Sequence, residues 1–374
     1  MSNPPSQPVP ENAPSGANPG GEAARRPRKG PVAFLRGLFF LLVISALVVG
    51  LGTVISDHEE EAASPPQTEL HRQEAWKTTN TLATYAEALS SSAVPAKTQQ
   101  LLQQTAKDLS AQSAALGDGL PPSTAEATAP ATTSPNPPST VAEMQQALSA
   151  SAQTLLTHSL TADHAMGRVF AAVGTSQLFQ AQDLAAAAGV VLPTSKFLPA
   201  KVDFPTPAGP DCSSTVKPQP GTVKPQPGAT VNAALHAAAL GEQKASYAYQ
   251  VSTTRMVEPR FSKSADLLAR HQDKLVVLNA ELKLRCLPPV TPVAGFVLNS
   301  AFTDHPEIAL AGLEGELATI YADLAALSAP RGQDATALAD NGTLREISVS
   351  WLLDSAQTQK FWGGTVGALA GITN

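Results

Sequence analysis

Proline placement constrains this chain more than any other feature of its sequence. Its 32 prolines gather in the first thirty or so residues, in 117–139 and in 193–229, with single or paired breaks such as Pro95, Pro259, Pro288-Pro289 and Pro330. The long Ala- and Leu-rich stretches between them are almost free of proline. Because proline removes a helical hydrogen bond and clashes with the preceding turn, this segregation marks helices separated by punctuation and linker. The composition agrees: hydrophobic residues reach 43%, yet aromatics are 5% and charged residues 15%. The apolar content is therefore largely Ala and Leu, which lose little side-chain freedom in a helix. Long Val/Ile/Thr/Tyr alternations typical of strands do not occur. The expected fold class is all-α.

Residues 37–55 read GLFFLLVISALVVGLGTVI, 19 residues without a charge. At about 1.5 Å per residue such a helix matches a hydrocarbon layer of roughly 30 Å. Arg25, Arg26, Arg28, Lys29 and Arg36 precede it against only Glu11 and Glu22, whereas Asp57, Glu59, Glu60 and Glu61 follow. Lys/Arg excess holds its flank in the cytoplasm. We therefore expect a cytoplasmic tail at 1–32, a transmembrane helix at 33–56 that meets the lipid bilayer through residues 37–55, and a plasma-membrane protein with its remaining domains outside. A cleaved secretory signal is the competing reading. The apolar run is long for one, the preceding tail is longer still, and no A-x-A pattern follows. The tail is rich in Pro, Gly, Asn and Ser and has little to bury, so it reads as disordered.

The first 36 residues carry a balance of +3 and the whole chain −6, so the remaining 338 carry −9. An acidic ectodomain without Lys/Arg clusters argues against a nucleic-acid partner. Two linkers divide it by composition. Residues 117–139 form a Pro/Ser/Thr-rich insert within a helical region at 57–192. Residues 193–229 form a Pro-rich linker in which TVKPQPG occurs twice in direct succession, at 215–221 and 222–228. Two prolines per seven residues make a semi-rigid spacer.

Four helices are expected before the second linker, at about 67–91, 95–116, from Val141 onward, and 161–189. Thr140-Val-Ala-Glu143 is a capping-box pattern for the third, which places Val141, Met144, Leu148 and Leu155 on one face. Four more follow in 230–374, at about 230–257, 260–285, 304–330 and 343–362. The second of these carries Leu268, His271, Leu275, Leu278 and Leu282 at three/four spacing. The third has Asp304 as N-cap, Pro306 in its first turn and Glu307 as capping-box acid, followed by a seam of Leu310, Leu313, Leu317, Ile320, Leu324 and Leu327. The fourth turns Leu344, Ile347, Trp351 and Phe361 inward. This pattern predicts a four-helix bundle.

Within the first of these helices, Ala233-Ala-Leu235, Glu242 and Tyr247-Ala-Tyr249 lie in TVNAALHAAALGEQKASYAYQV. On these residues and the four-helix layout, 230–362 resembles the DUF4439 family, a domain of unknown function in actinobacterial envelope proteins. The resemblance implies a ferritin-like fold and a cell-envelope setting, and no reaction. Where the family's helix commonly reads Glu-His-Ala-Ala-x-Tyr-x-Tyr, the His position is Gln243 here and Lys244 follows.

A di-iron centre in such a bundle needs a Glu from each of two helices and Glu-x-x-His from each of the other two. None of the seven histidines has Glu or Asp three residues upstream, so the motif is absent. A looser site remains: Glu242, His271, Glu314 and Asp354 lie on or beside the inward seams of four successive helices and can meet at one level. They are the candidate metal residues. The plainer reading, which we adopt, has His271 bonded to one neighbour while the acids reach water at the seam edge. Tyr247 and Tyr249 are two apart and cannot share a helix face, so one belongs to the core and the other to an interface. No G-x-S-x-G, Walker or G-x-G-x-x-G sequence occurs, and no catalytic residue or cofactor is assigned. In an oxidising compartment the two cysteines, Cys212 and Cys286, are expected to form a disulfide, worth about 4 kcal/mol in the chain-entropy account.

The function these features point to is a membrane-anchored, extracytoplasmic, non-enzymatic binding or scaffolding protein of the cell envelope, its partner an envelope protein or ligand. Two alternatives stand beside it. One is a metal-dependent or redox enzyme using the degenerate carboxylate site. The other is a lipid or small-molecule sensor.

Overall fold

A computed structural model of the chain describes residues 66–92, 94–117, 138–190, 230–328 and 341–372. The expected cytoplasmic tail, the membrane segment 33–56, most of the insert and all of the 193–229 linker lie outside these residues. Among the described residues no helix is long and apolar enough to cross a membrane, and every regular element is helical.

Eight long helices pair in sequence order into four antiparallel hairpins. They are α1 (Gln67–Ser90) with α2 (Ala96–Leu116), and α3 (Val141–Ser159) with α4 (His164–Ala188). Then come α5 (Val231–Thr253) with α6 (Arg260–Leu284), and α8 (Pro306–Leu327) with α9 (Asn341–Phe361), preceded by the one-turn helix α7 (Ala301–Asp304). Local chemistry explains several boundaries. The Thr140 side chain accepts the Glu143 N–H at 3.2 Å and Glu143 returns to the Thr140 N–H at 3.2 Å, which is the expected capping box. Asp163 and Thr230 cap α4 and α5 by accepting the Met166 and Ala233 N–H groups.

The start of α8 differs from expectation. Asp304 does not cap it, because Asp304 is the last residue of α7, its N–H bonded to the Ser300 carbonyl at 2.9 Å. His305 takes the N-cap position without a side-chain bond, Pro306 follows in the first turn, and Glu307 pairs with Arg260 across the bundle. At the far end, Phe361 was expected inward but is 47% exposed, with the Lys263 ammonium over its ring at 5.6 Å.

The Pro-rich 193–229 stretch does not divide the helices in space. All of them fall in one compact unit spanning 65–374. The main core joins Ala152, Leu156, Ala171 and Leu178 to Leu235, Tyr249, Leu278, Leu313, Leu317 and Trp351. A second cluster fills the first two hairpins, with Leu82, Leu89, Leu102, Leu109, Met144, Leu148 and Leu184. Helix α4 is central: every residue from Phe170 to Ala181 is buried, so it behaves as a core helix rather than a surface one.

Two devices fasten the halves. Arg345 of α9, fully buried, donates from Nε to the Ala325 carbonyl at 2.9 Å and from Nη1 to the Ala162 carbonyl at 2.6 Å. The Ala325 carbonyl lies in the last turn of α8, where orphan acceptors and the helix dipole favour a cation, and Ala162 lies in the turn between α3 and α4. Burial nevertheless pushes the guanidinium pKa down to about 10, with Asp163 opposing. The second device is the C-terminal tail, which folds back over α4 and α8. Gln112 donates to the Ala368 carbonyl at 3.0 Å, Ser176 Oγ donates to the Gly367 carbonyl at 3.0 Å, and Ser176 Oγ accepts the Ala370 N–H at 2.9 Å.

Gly371 ends this strap at φ +71, and a Cβ there would lie 2.5 Å from the Ala318 carbonyl oxygen. That backbone region suits glycine, and the obstructing atom is main chain. At Gly167, a Cβ would come within 2.5 Å of Arg345 Nη2, whose guanidinium is already held by two carbonyls. Overpacking of this kind costs about 1–3 kcal/mol. Gly371→Ala and Gly167→Ala are each expected to lower the thermal unfolding midpoint, as calorimetry of the purified chain would show, whereas Gly312→Ala, inside α8 with nothing within 4 Å of its Cβ, is expected to raise it slightly through a helix-propensity gain of about 0.5–1 kcal/mol.

Candidate functional site

The polar side chains at the centre of the second half come from four helices. Helix α5 presents Glu242 and Tyr249, seven residues apart, and α8 presents Glu314 and Tyr321, also seven apart. Seven residues are close to two turns, so each pair shares one helix face. Since α5 and α8 run antiparallel, the pairs meet reciprocally. Tyr249 Oη donates to Glu314 Oε1 at 2.6 Å, and Tyr321 Oη donates to Glu242 Oε1. His271 of α6 sits between the two carboxylates, with Nδ1 at 2.6 Å from Glu242 Oε2 and Nε2 at 3.1 Å from Glu314 Oε1. Trp362 closes one side by donating from Nε1 to Tyr249 Oη at 2.9 Å, and the Tyr249 and His271 ring centroids are 4.7 Å apart.

One turn further along α6, Lys274 Nζ lies 2.9 Å from Asp354 Oδ2 of α9. The other Asp354 oxygen accepts from Arg270 Nη1 at 2.6 Å. The Lys274 ammonium also lies 5.4 Å and 5.6 Å from the ring centroids of Tyr321 and Trp351, within range of cation–π attraction. Glu242, Glu314 and Asp354 are 0%, 1% and 5% exposed. The acids therefore do not reach water, contrary to the expectation from the seams. They stay buried because α6 delivers their counter-charges: its buried face runs through Leu267, His271, Lys274, Leu278 and Leu282, a register centred one residue away from the expected Leu268 and Leu275.

Protonation follows from this geometry. Both imidazole nitrogens face carboxylate oxygens, which an imidazolium satisfies with two N–H donors. Burial alone would lower the His271 pKa, but Glu242 and Glu314 outweigh it and raise the group to about 9. Burial likewise opposes charge on Glu242 and Asp354, yet the neighbouring cations, His271 foremost for Glu242 and Lys274 for Asp354, bring both carboxyls below the ordinary value. Lys274 is raised, its burial cost outweighed by Asp354, Glu242 and Glu314. Burial and the adjacent glutamates push Tyr249 and Tyr321 well above the ordinary phenol value, so both remain donors. Three carboxylates thus face three cations.

The four candidate metal residues are therefore brought together, three of them directly, with Asp354 joined through Lys274. Their donor set does not fit a metal. Both His271 nitrogens are committed to carboxylates, so neither offers a lone pair, and ligating histidine must be neutral. The residues three upstream of His271 and Asp354 are Leu268 and Trp351, where a Glu-x-x-His centre would place its carboxylates. Trp351 instead packs edge-on against Tyr321 at 5.4 Å. Among the described residues, no group of three or more His, Cys, Asp and Glu is arranged to hold a metal ion. Arg270, Lys274 and Tyr321 escaped the reading of the sequence, although the two Glu/Tyr spacings of seven were legible in it.

Tyr247 lies on another face, partly buried, with its ring 6.0 Å from that of Phe296. Cys286 is disulfide-bonded. Cys212, the chain's other cysteine, lies outside the described residues.

The stretch that holds the whole network, residues 234–374, matches the model of a family described as a domain of unknown function, DUF4439. No curated protein and no solved structure matches the chain.

A histidine whose pKa is raised from 6.5 to about 9 on folding binds its proton more tightly in the folded state. Its contribution to stability is therefore complete below about pH 6.5 and is lost as pH rises through about 9. Denaturation midpoints measured from neutral to alkaline pH are expected to fall across that window, and the fall should be shallower in His271→Gln. Removing one member of a buried ionic set leaves uncompensated charge, which typically costs about 3–5 kcal/mol, so His271→Ala is expected to be strongly destabilised at neutral pH by the same measurement.

Proposed function

We propose that this chain is a membrane-anchored, extracytoplasmic, non-enzymatic binding or scaffolding protein of the cell envelope. The observation that carries the non-enzymatic part is the closure of the buried network. Its charged groups are spent on one another, and a catalytic acid or base needs a reacting partner within hydrogen-bond reach. The anchoring part rests on the uncharged run at 37–55 and the basic residues before it. The envelope setting and a ferritin-like fold are what the resemblance to DUF4439 implies, and the family model that matches 234–374 is itself described only as a domain of unknown function. The two antiparallel hairpins α5–α6 and α8–α9, packed around inward-facing carboxylates, support that fold reading.

A second reading, small-molecule sensing, draws on one feature. An open groove of about 580 Å³ runs between α8 and the C-terminal tail, lined by Gly312, Gly315, Thr319, Gln359 and Val366 among others.

Elemental analysis of the detergent-purified full-length chain separates these readings from the metal-dependent one. The expected result is no stoichiometric iron or manganese. Stoichiometric metal that is lost in Glu242→Ala would overturn the non-enzymatic reading. Protease protection in sealed vesicles tests the topology, with the helical unit expected on the face opposite the N-terminal tail. Native mass spectrometry showing a co-purifying small molecule that is lost on substitution of Gly315 would favour the sensor.

A further inference from the structure

Outside the central network, His71 of α1 and His158 of α3 lie face to face, with ring centroids 3.6 Å apart and planes at 20°. His158 is in the last turn of α3, and its other neighbour is the Phe170 ring of α4 at 6.1 Å. Stacked planes send their nitrogen lone pairs out in parallel directions, so the pair does not converge on a metal. Gln67 Nε2 lies 3.2 Å from His71 Nε2, an arrangement in which the amide donates to an unprotonated nitrogen.

The surrounding charges cannot neutralise two imidazolium ions. On α1, Glu74 acts on His158, while Glu69 is committed to Arg72. On α4, the Asp163 carboxylate caps the helix at Met166, His164 bonds to the Ala326 carbonyl, and Arg168 pairs with Asp323 of α8. On α2, the Leu116 and Gly117 carbonyls accept from Arg72. The C-terminal end of α3 favours one positive charge; a second at 3.6 Å is opposed by the first.

We propose that the His71–His158 pair is an acid-sensitive latch, closed while at least one ring is neutral and opened by double protonation, which frees α1 from α3. Burial and the adjacent His71 lower the His158 pKa, with Glu74 partly opposing. The open state therefore binds protons more readily than the closed one, and acidification shifts the balance toward opening. The central network does not share this response. His271 holds its proton at every pH well below about 9, so mild acid leaves α5, α6 and α8 locked. The latch thus acts where α1 meets α3, and the α1 face of Ala75, Leu82, Ala83, Ala86 and Leu89 is buried in the closed state.

Hydrogen exchange of the full-length chain in detergent, followed peptide by peptide at about pH 7.5 and about pH 5 and corrected for intrinsic rates, tests this. Peptides from α1 are expected to exchange at least about tenfold faster in acid, and those from α5, α6 and α8 to be unchanged. His71→Gln/His158→Gln should abolish the acid response of α1. A wild-type α1 whose protection is independent of pH overturns the proposal, as does an acceleration that survives in the double variant. Should that variant fail to fold, proton NMR of the wild-type imidazoles decides: two coupled steps, the second displaced toward acid, support the latch, and two independent titrations at the ordinary histidine value overturn it.

Discussion

The proton that His271 holds between Glu242 and Glu314 is the interaction on which the second half of the structure depends. Burying two carboxylates and a lysine–aspartate pair in an apolar bundle is costly unless every charge finds its partner. Here α6 supplies cations from consecutive turns of a single face. The imidazolium also fixes relative position. Sliding α5 against α8 by one turn would separate Tyr249 from Glu314 and Tyr321 from Glu242 together, leaving two buried phenols and two buried carboxylates unpaired. An Ala- and Leu-rich interface offers little such discrimination, because small apolar side chains pack almost as well one turn out of step. The polar centre is therefore the part of the core that specifies register.

The same logic operates where the two halves join. Arg345 is a buried cation without a carboxylate in direct contact, and it is tolerated because it bonds carbonyls at the end of α8 and in the turn between α3 and α4. It reads backbone carbonyls rather than side chains, and so ties the turn between α3 and α4 to the end of α8. The tail then adds a second tie through Gln112 and Ser176. With both in place, α4 lies at the centre of one body instead of on the surface of a separate bundle.

How much of this the sequence disclosed depends on the kind of signal. Helix positions were legible, because proline segregation and the Thr140 capping box act locally. Glu242, His271 and Glu314 were legible as a converging set, because all three lie on apolar seams. The fate of their charges was not. Lys274 at a seam position reads as the polar edge of a helix, and only the tertiary contact with Asp354 shows that it points inward. The union of the two halves was hidden for a related reason. The stretch from Phe170 to Ala181 is small and apolar nearly all round, which is the mark of a helix buried on every side, yet the Pro-rich linker after it favours a reading of separate domains. Composition marks 193–229 as a linker and says nothing about whether the flanking helices pack together.

The presence of fixed cations beside these carboxylates has a further consequence. A metal centre is held by donors that can all turn lone pairs toward one point; this network is held by donors and acceptors already spent on each other. Placing a carboxylate at Leu268 or Trp351 alone would add a buried negative charge to a set that is already balanced, and removing Lys274 alone would leave Asp354 undercompensated. Either change pushes the bundle toward instability before it creates a coordination site. The route from this network to a metal centre therefore needs gains of carboxylate and losses of cation together, which makes the closed, proton-bridged state a self-consistent alternative to metal rather than a partial version of it.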